Sequence, residues 1–398
     1  MTTVTYRFSA RATGVPSAGI AGMMAYAAKY KDTVSLGQGA PQFPTPRFIY
    51  DYISERSKTD INVGMYANLG TTLDMELKRL IQSQFAKNYG FTPELDHLYI
   101  TLGGIGGLFA TFMSLLEAGD EVIYFDPSYP LHLSQLHLTQ AKVVFVSYDE
   151  ESGWKLDIDK VKAAVTKRTK VIVLTNPNNP TGTVLSESEI RALSQIVLDH
   201  DLILVLDEAY SYLTYEKQLF SPMLIPELRD HIVLCKSFSK EYAMTGWRIG
   251  YLYANPKLIA KINDVHLYFT VTPPSISMTA AIAALSDHRG ETAMHDFKDK
   301  LTASRTAIVE RLGKLPKLFE FYEPDGAFYA FPKIVGMNMP ALDFAHLLVD
   351  EAKVVTIPGD SSGPAGRGHV RMSFAAEPEL IHRAFDRIDT FAKKHGLQ

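Results

Sequence analysis

Short apolar runs recur through the middle of the chain and stop at polar residues: EVIYF before Asp126, KVIVLTN ending on Asn176, LILVL before Asp207, and HIVLC shortly before Ser237. KVVFVSY falls among them, and the intervening segments carry apolar residues at helical spacing. Strands that alternate with helices in this way can bury their apolar faces as a mainly parallel sheet with helices on both sides, which makes this an α/β chain. Ligands of such sheets bind beyond the carboxyl ends of the strands, so the polar residues that end the runs are candidates for lining one site.

An earlier run, LYITL, leads into GGIGG and then LFATFMSLLEA, and reads as strand, glycine turn and helix. Free N–H groups at such a helix start suit a phosphate. Gly104 and Gly106 supply the first pair of a dinucleotide fingerprint, but Phe109 stands where its third small residue belongs. That weighs against a nicotinamide dehydrogenase.

Upstream, GIAGMMAYAAKYK has helical spacing and reads as a structural helix, followed by the loop VSLGQGAPQFPTP. Gly37 and Gly39 in that loop allow a backbone to approach a ligand closely. PRFIYDYISERSK and TLDMELKRLIQSQFAKNY read as helices, the second ended by Gly90. Beyond about residue 285 come a long charged helix, strand candidates FEFY and AFYAF, the loop IPGDSSGPAGRG, HVRMSFA and a last helix, which together read as a smaller α+β domain. The expected division is a large domain over 46–285 and a small one from 1–45 with 286–398.

With 398 residues, 46% hydrophobic and 21% charged, the chain is long enough for a large core and a second domain. A formal charge of -4 gives no electrostatic reason to expect nucleic acid. Cys235 is the only cysteine, so no internal disulfide forms and a reducing, cytoplasmic setting is expected. The opening MTTVTYRFSARATG lacks the apolar core of a signal peptide, and no apolar stretch reaches the length of a membrane span. The 12 histidines show no metal-ligand spacing and read as ordinary core or surface residues, so no metal is expected.

The chemistry concentrates in SFSKEYAMTGWRIG, residues 237–250. Lys240 could hold an aldehyde as a Schiff base, while Ser237 and Arg248 could bind a phosphate, the arginine through two parallel hydrogen bonds. An aldehyde that carries a phosphate suggests pyridoxal 5′-phosphate. The plainer reading is a solvated Lys/Arg pair in a loop, and the rest of the chain decides between the two.

Eight markers appear in order: GQG (37–39), Tyr66 with Gly70, LGGIGG (102–107), PSY (127–129), NPNNPTG (176–182), DEAY (207–210), SFSK with GWRIG, and RMSFA (371–375). With them the chain resembles the fold-type I pyridoxal-phosphate-dependent aminotransferases of class I/II over nearly its whole length. The resemblance implies that Lys240 bonds the cofactor and then moves the proton at the substrate Cα, acting as nucleophile and base in turn. It implies that Asp207 keeps the pyridine nitrogen protonated, that Tyr210 and Asn179 donate to the ring's phenolate oxygen, and that Tyr129 stacks on the ring. Phosphate contacts fall to Gly104, Ile105 and Gly106 with Ser237 and Arg248, and to Tyr66 from a neighbouring subunit, so a homodimer is expected. Arg371, with the Gly39 backbone and Asn179, is implied to hold the substrate α-carboxylate in a fork that lysine cannot reproduce.

The implied activity is transfer of an amino group between an L-amino acid and a 2-oxo acid by a ping-pong route. The alternative is a lyase acting at Cβ or Cγ, which would share the lysine, aspartate and arginine. A regulator built on the same domain would need an added DNA-binding segment, for which the N-terminal stretch has no room. No arginine lies between Arg248 and Arg289, LYFTVTPPSISMTA is apolar and hydroxylic, and Ile105 stands in the glycine turn where aspartate-specific branches place a lysine. A buried carboxylate without a positive partner costs several kcal/mol, so a neutral or aromatic substrate is expected, unless Arg11 or Arg47 supplies a cation.

Overall fold

The computed structural model describes residues 6–15 and 19–398. Residues 1–5 and 16–18 lie outside the described residues; they include part of the stretch read above as lacking a signal peptide and part of the expected small domain. Seven strands form the main sheet: β1 Leu98–Leu102, β2 Glu121–Asp126, β3 Lys142–Ser147, β4 Thr169–Thr175, β5 Ile203–Asp207, β6 Ile232–Ser237 and β7 Ile249–Tyr253. Their order is β1-β7-β6-β5-β4-β2-β3. Every neighbouring pair is parallel except those made by β7, which runs antiparallel to both β1 and β6.

Side-chain alternation explains why both faces need cover. In β5, Leu204 and Leu206 enter one core while Val205 enters the other, and in β4 Ile172 and Leu174 part from Val171 and Val173 in the same way. Among the described helices, Thr72–Tyr89 and Ser275–Ser286 contribute Leu77, Ile81, Phe85 and Met278 to the first core, and Pro256–Thr270 contributes Ile259 and Ile262 to the second. Helix Thr72–Tyr89 ends as expected at Gly90, whose φ of +73° suits the left-handed turn that closes a helix.

A separate core joins Val34, Leu36 and Phe43 to Leu301, Ile308, Phe344, Leu348, Met372 and Phe385. Val34–Ser35 pairs in parallel with Val354–Val355, which ties the N-terminal segment to the C-terminal part. The strand candidates there are short: Phe319–Glu320 and Tyr329–Ala330, with Val370–Ser373 between Tyr329–Ala330 and Ile357–Pro358. The long charged segment forms helix His288–Gly313.

Two local outcomes differ from the sequence reading. GGIGG is the first turn of helix Gly103–Leu115 and not a loop before it. Gly103 makes the abrupt change from strand to helix possible with φ +67°, a conformation costly for a residue with a Cβ. The second difference is β7: IGYLY, within and beyond the GWRIG motif, is a fully buried strand that runs against the rest of the sheet.

Candidate active site

A cavity of about 470 Å³ opens at the carboxyl ends of β4, β5 and β6, where Thr175, Asp207 and Ser237 line it. Register brings the strand ends level, with Thr175 opposite Asp207 and Asp207 opposite Cys235. Asp126 and Asn176 do not line it. Asp126 instead accepts hydrogen bonds from the Ala365 amide at 2.7 Å and the Ser147 hydroxyl at 2.9 Å, and Asn176 accepts from the Leu185 amide at 3.1 Å. Both brace loops around the site, so two of the four polar strand ends serve it indirectly.

Lys240 sits on a four-residue helix, Phe238–Glu241, capped by Ser237, whose hydroxyl accepts the Ser239 amide at 3.2 Å. Tyr212 donates to the Lys240 carbonyl at 2.8 Å and fixes the backbone there. The Lys240 amine reaches into the cavity and donates to the Gly39 carbonyl at 2.5 Å. Burial, then the positive charges of Arg371 and Arg248, pull its pKa down to about 8, against a smaller opposing pull from Asp207. An amine in that range is available as a nucleophile near neutral pH, unlike an ordinary lysine.

Arg248 takes a left-handed backbone conformation, φ +53° and ψ +53°. Its guanidinium lies against the glycine turn: a Cβ on Gly103 would fall 2.5 Å from Nη2, and one on Gly104 would fall 3.5 Å from the Ser237 Cβ. Gly104, Ile105, Ser237 and Arg248 therefore close one end of the cavity together, with room that side chains on the glycines would fill. Gly106 belongs to the same helical turn.

Asp207 accepts the Ala209 amide at 3.1 Å through Oδ1, and its Oδ2 stands 3.2 Å from His132 Nε2. His132 is fully buried, and neither of its ring nitrogens has an aligned hydrogen-bond partner. Its ring meets Tyr129 edge-on, centroids 5.1 Å apart. Tyr210 shares a 2.9 Å hydrogen bond with Tyr329, and burial raises the Tyr210 hydroxyl well above its ordinary pKa, so it stays a donor at neutral pH.

Arg371 is 2% exposed. One of its terminal nitrogens donates to the Gly37 carbonyl at 2.7 Å and the other to Asn179 Oδ1 at 3.3 Å, while Tyr329 lies 4.6 Å from the guanidinium carbon. Nε has no partner. NPNNPTG is indeed a turn, knotted by Asn178, which donates to the Pro127 carbonyl and to Thr181, each at 2.9 Å. That turn presents Asn179 to Arg371.

Tyr66 is not brought to this cavity; it is 77% exposed, on a loop beside the Leu267–Pro273 segment. Arg11 and Arg47 do not line the cavity either, and Arg47 pairs with Asp51 at the surface. The helix read as purely structural, Gly19–Ala27, contributes Ile20 and Ala21 to the wall. Sequence reasoning also missed His132 and Tyr329. His132 had a signal, since a residue three after Tyr129 shares its face once the segment is helical.

The group suggested by the sequence fits this shape. A lowered amine, a glycine-lined end with Ser237 and Arg248, and a buried arginine with an unpartnered Nε match an aldehyde, a phosphate and a carboxylate respectively. Among the described residues no cluster of metal-ligating side chains occurs, and no helix is long and apolar enough to cross a membrane.

Residues 31–388 match the family described as Aminotransferase class I and II. An aspartate aminotransferase of Pyrococcus horikoshii is 34% identical over 363 residues, 91% of each chain, and aromatic-amino-acid aminotransferase 2 of Thermococcus litoralis is 31% identical over 92% of each. A solved single mutant of Thermus thermophilus aspartate aminotransferase superposes with a TM-score of 0.90 at 28% identity, covering 97% of this chain and 100% of that one. The chain therefore belongs to the class I and II aminotransferases, fold-type I enzymes that use pyridoxal 5′-phosphate to move an amino group between an amino acid and a 2-oxo acid by a ping-pong route.

Proposed function

We propose that this aminotransferase acts on neutral or aromatic L-amino acids, held by Arg371 and Asn179 through the α-carboxylate. The observation that carries the substrate class is the wall: Ile20, Ala21, Ala40, Ile105 and Leu131 are apolar, and among the described residues the only cations lining the cavity are Lys240, Arg248 and Arg371. Each of the three has a role that leaves no charge for a side-chain carboxylate. Burying that carboxylate unpaired costs several kcal/mol.

In this reading the cofactor, when bound, would supply an aldehyde to carry the amino group and a ring to accept electrons from the substrate Cα. Lys240 would hold the cofactor's aldehyde and would move the proton at the substrate Cα, for which its lowered pKa suits it. Asp207 would keep a proton on the ring nitrogen, with His132 packed against the carboxylate. Tyr210, with Asn179, would donate to the ring oxygen, and Tyr129 would stack on the ring. Gly104, Ile105, Gly106, Ser237 and Arg248 would hold the phosphate. The Arg371 Nε is free to complete a two-pronged contact with the α-carboxylate, beside the Gly39 backbone.

We further propose a homodimer in which Tyr66 reaches the partner's phosphate. Ile61, Met65 and Tyr66 are 76%, 55% and 77% exposed along the segment 61–66, and Tyr268 is 89% exposed near the end of helix Pro256–Thr270, an apolar surface that a second copy would cover. The two cores support a large domain over 46–285 and a small one from 1–45 with 286–398. The single buried cysteine supports a cytoplasmic setting.

Half-reactions test the substrate class. Each amino acid is mixed with the cofactor-loaded enzyme, and loss of the absorbance of the lysine-bound cofactor is followed. Phenylalanine, tyrosine or methionine should give a higher kcat/KM than aspartate. An aspartate value at least tenfold above all of them overturns the pocket reading while leaving the aminotransferase assignment intact. Continued formation of 2-oxo acid beyond one equivalent per active site without any acceptor would favour the lyase alternative.

A further inference from the structure

We infer that His266 is a positioning residue for the cofactor's phosphate: from helix Pro256–Thr270 it fixes the strand-to-helix corner that presents the glycine turn. The inference rests on the reading of Gly104–Gly106 as the phosphate cradle.

Thr101 and Gln135 hold the corner through carbonyls, donating to Gly103 at 3.0 Å and to Ile105 at 2.8 Å, and neither holds the Leu102 amide at the point where the strand turns. Leu102 is the residue before helix Gly103–Leu115 and has no side chain able to cap it. Its own amide donates to His266 Nε2 at 3.1 Å. An imidazole nitrogen that accepts an N–H carries no proton, so the proton sits on Nδ1, which faces the Tyr99 hydroxyl at 3.2 Å. The ring is thus pinned between two points of β1, at Tyr99 and Leu102. It is fully buried, packs edge-on against Phe269 at 4.8 Å, and lies 3.8 Å from where a Cβ on Gly106 would stand.

The consequence is geometric. Leu102, at φ -71° and ψ +71°, and Gly103, at φ +67°, together set the angle at which the glycine turn leaves the sheet. Phosphate bound by successive backbone amides depends on that angle, because small rotations of the corner displace all of the donors at once. No side chain of the turn itself can resist such rotation, since four of its five residues are glycine. His266 supplies the resistance from a different element.

The test compares pyridoxal 5′-phosphate with pyridoxal, which lacks the phosphate, as ligands of the cofactor-free protein. His266→Leu should weaken the phosphorylated ligand about tenfold, the effect of losing one buried hydrogen bond, and should change pyridoxal by less than threefold. His266→Gln, whose side-chain oxygen can accept the same amide, should stay within threefold for both. Leu102→Pro removes the donor at a φ that proline adopts, and should reproduce the His266→Leu loss without adding to it in the double variant; it also serves if His266→Leu does not fold. Equal weakening of both ligands, or none of either, overturns the inference and assigns His266 to general packing. If the unsubstituted protein binds pyridoxal as tightly as its phosphate, the cradle reading itself fails, a result separate from any effect at His266.

Discussion

The lowered pKa of Lys240 makes a quantitative prediction about cofactor capture. At pH 7.5 an amine with a pKa of about 8 is unprotonated about a quarter of the time, whereas at its ordinary 10.5 the fraction is about one in a thousand. Only the free amine attacks an aldehyde, so burial beside Arg371 and Arg248 should speed capture by about two-hundredfold at that pH. The assay mixes cofactor-free protein with pyridoxal 5′-phosphate in a stopped-flow instrument between pH 6 and 10 and follows the absorbance of the lysine-bound form. The rate should climb with pH and level off above about 8. The neighbours fix the sign of two further shifts: Arg371→Gln removes a positive charge and should move the midpoint up, while Asp207→Asn removes the opposing negative charge and should move it down. A midpoint near 10.5 in the unsubstituted protein, or shifts of reversed sign, would refute the electrostatic account of the lysine. The same depression acts on stability. Because the folded pKa is below the unfolded one, the unfolded chain gains a proton first as pH falls from 10.5 to 8, so Lys240 costs the cofactor-free protein stability below that window. Lys240→Met should accordingly raise its Tm at pH 7.

Further outcomes follow from the same geometry. Lys240→Ala should retain pyridoxal 5′-phosphate by spectroscopy while losing turnover by several orders of magnitude; full activity would remove Lys240 from the mechanism. Asp207→Ala should reduce the half-reaction rate far more than it lowers thermal stability, and the opposite pattern would make Asp207 a structural residue. Mixing Lys240→Ala and Tyr66→Phe protomers should yield heterodimers with one intact site and activity above either parent; no gain after confirmed subunit exchange would place Tyr66 outside the partner's site. His266 is held down to about 4 by burial, so as pH falls from 6.5 toward 4 the unfolded chain gains a proton that the folded one refuses, and stability drops by up to about 3 kcal/mol. Denaturant titrations across that range should show this component in the unsubstituted protein and lose it in His266→Gln.

What could be read from the sequence follows from how far apart the interacting residues are in the chain. Strand ends, the helix closed by Gly90 and the Lys240 segment are local patterns, and they came through because period, turn chemistry and residue type agree over a few positions. The glycine turn was placed correctly but one element too early, because glycine's low helix propensity argues for a loop until packing overrides it. Here the packing is specific: a Cβ on Gly107 would stand 3.0 Å from Leu252, and one on Gly250 would stand 2.8 Å from the Gly104 amide, so the helix can rest on β7 only if its first turn is bare. Contacts between distant segments left no such trace. Tyr329 meets Tyr210 across 119 residues and His266 meets Leu102 across 164, and nothing in the spacing of either aromatic ring separates it from an ordinary core residue. The four polar strand ends show the same limit from the other side. All of them reach the same edge of the sheet, yet Asp207 faces the cavity while Asp126 turns to the Ala365 amide, because the loop 359–366 brings a backbone donor to Asp126 from 239 residues away, whereas Asp207 takes only the Ala209 amide two residues on and keeps its Oδ2 beside His132. Which strand end faces the cavity is therefore decided by the loop that packs above it, so exchanging the 359–366 loop should disturb Asp126 and loop order before it disturbs Asp207.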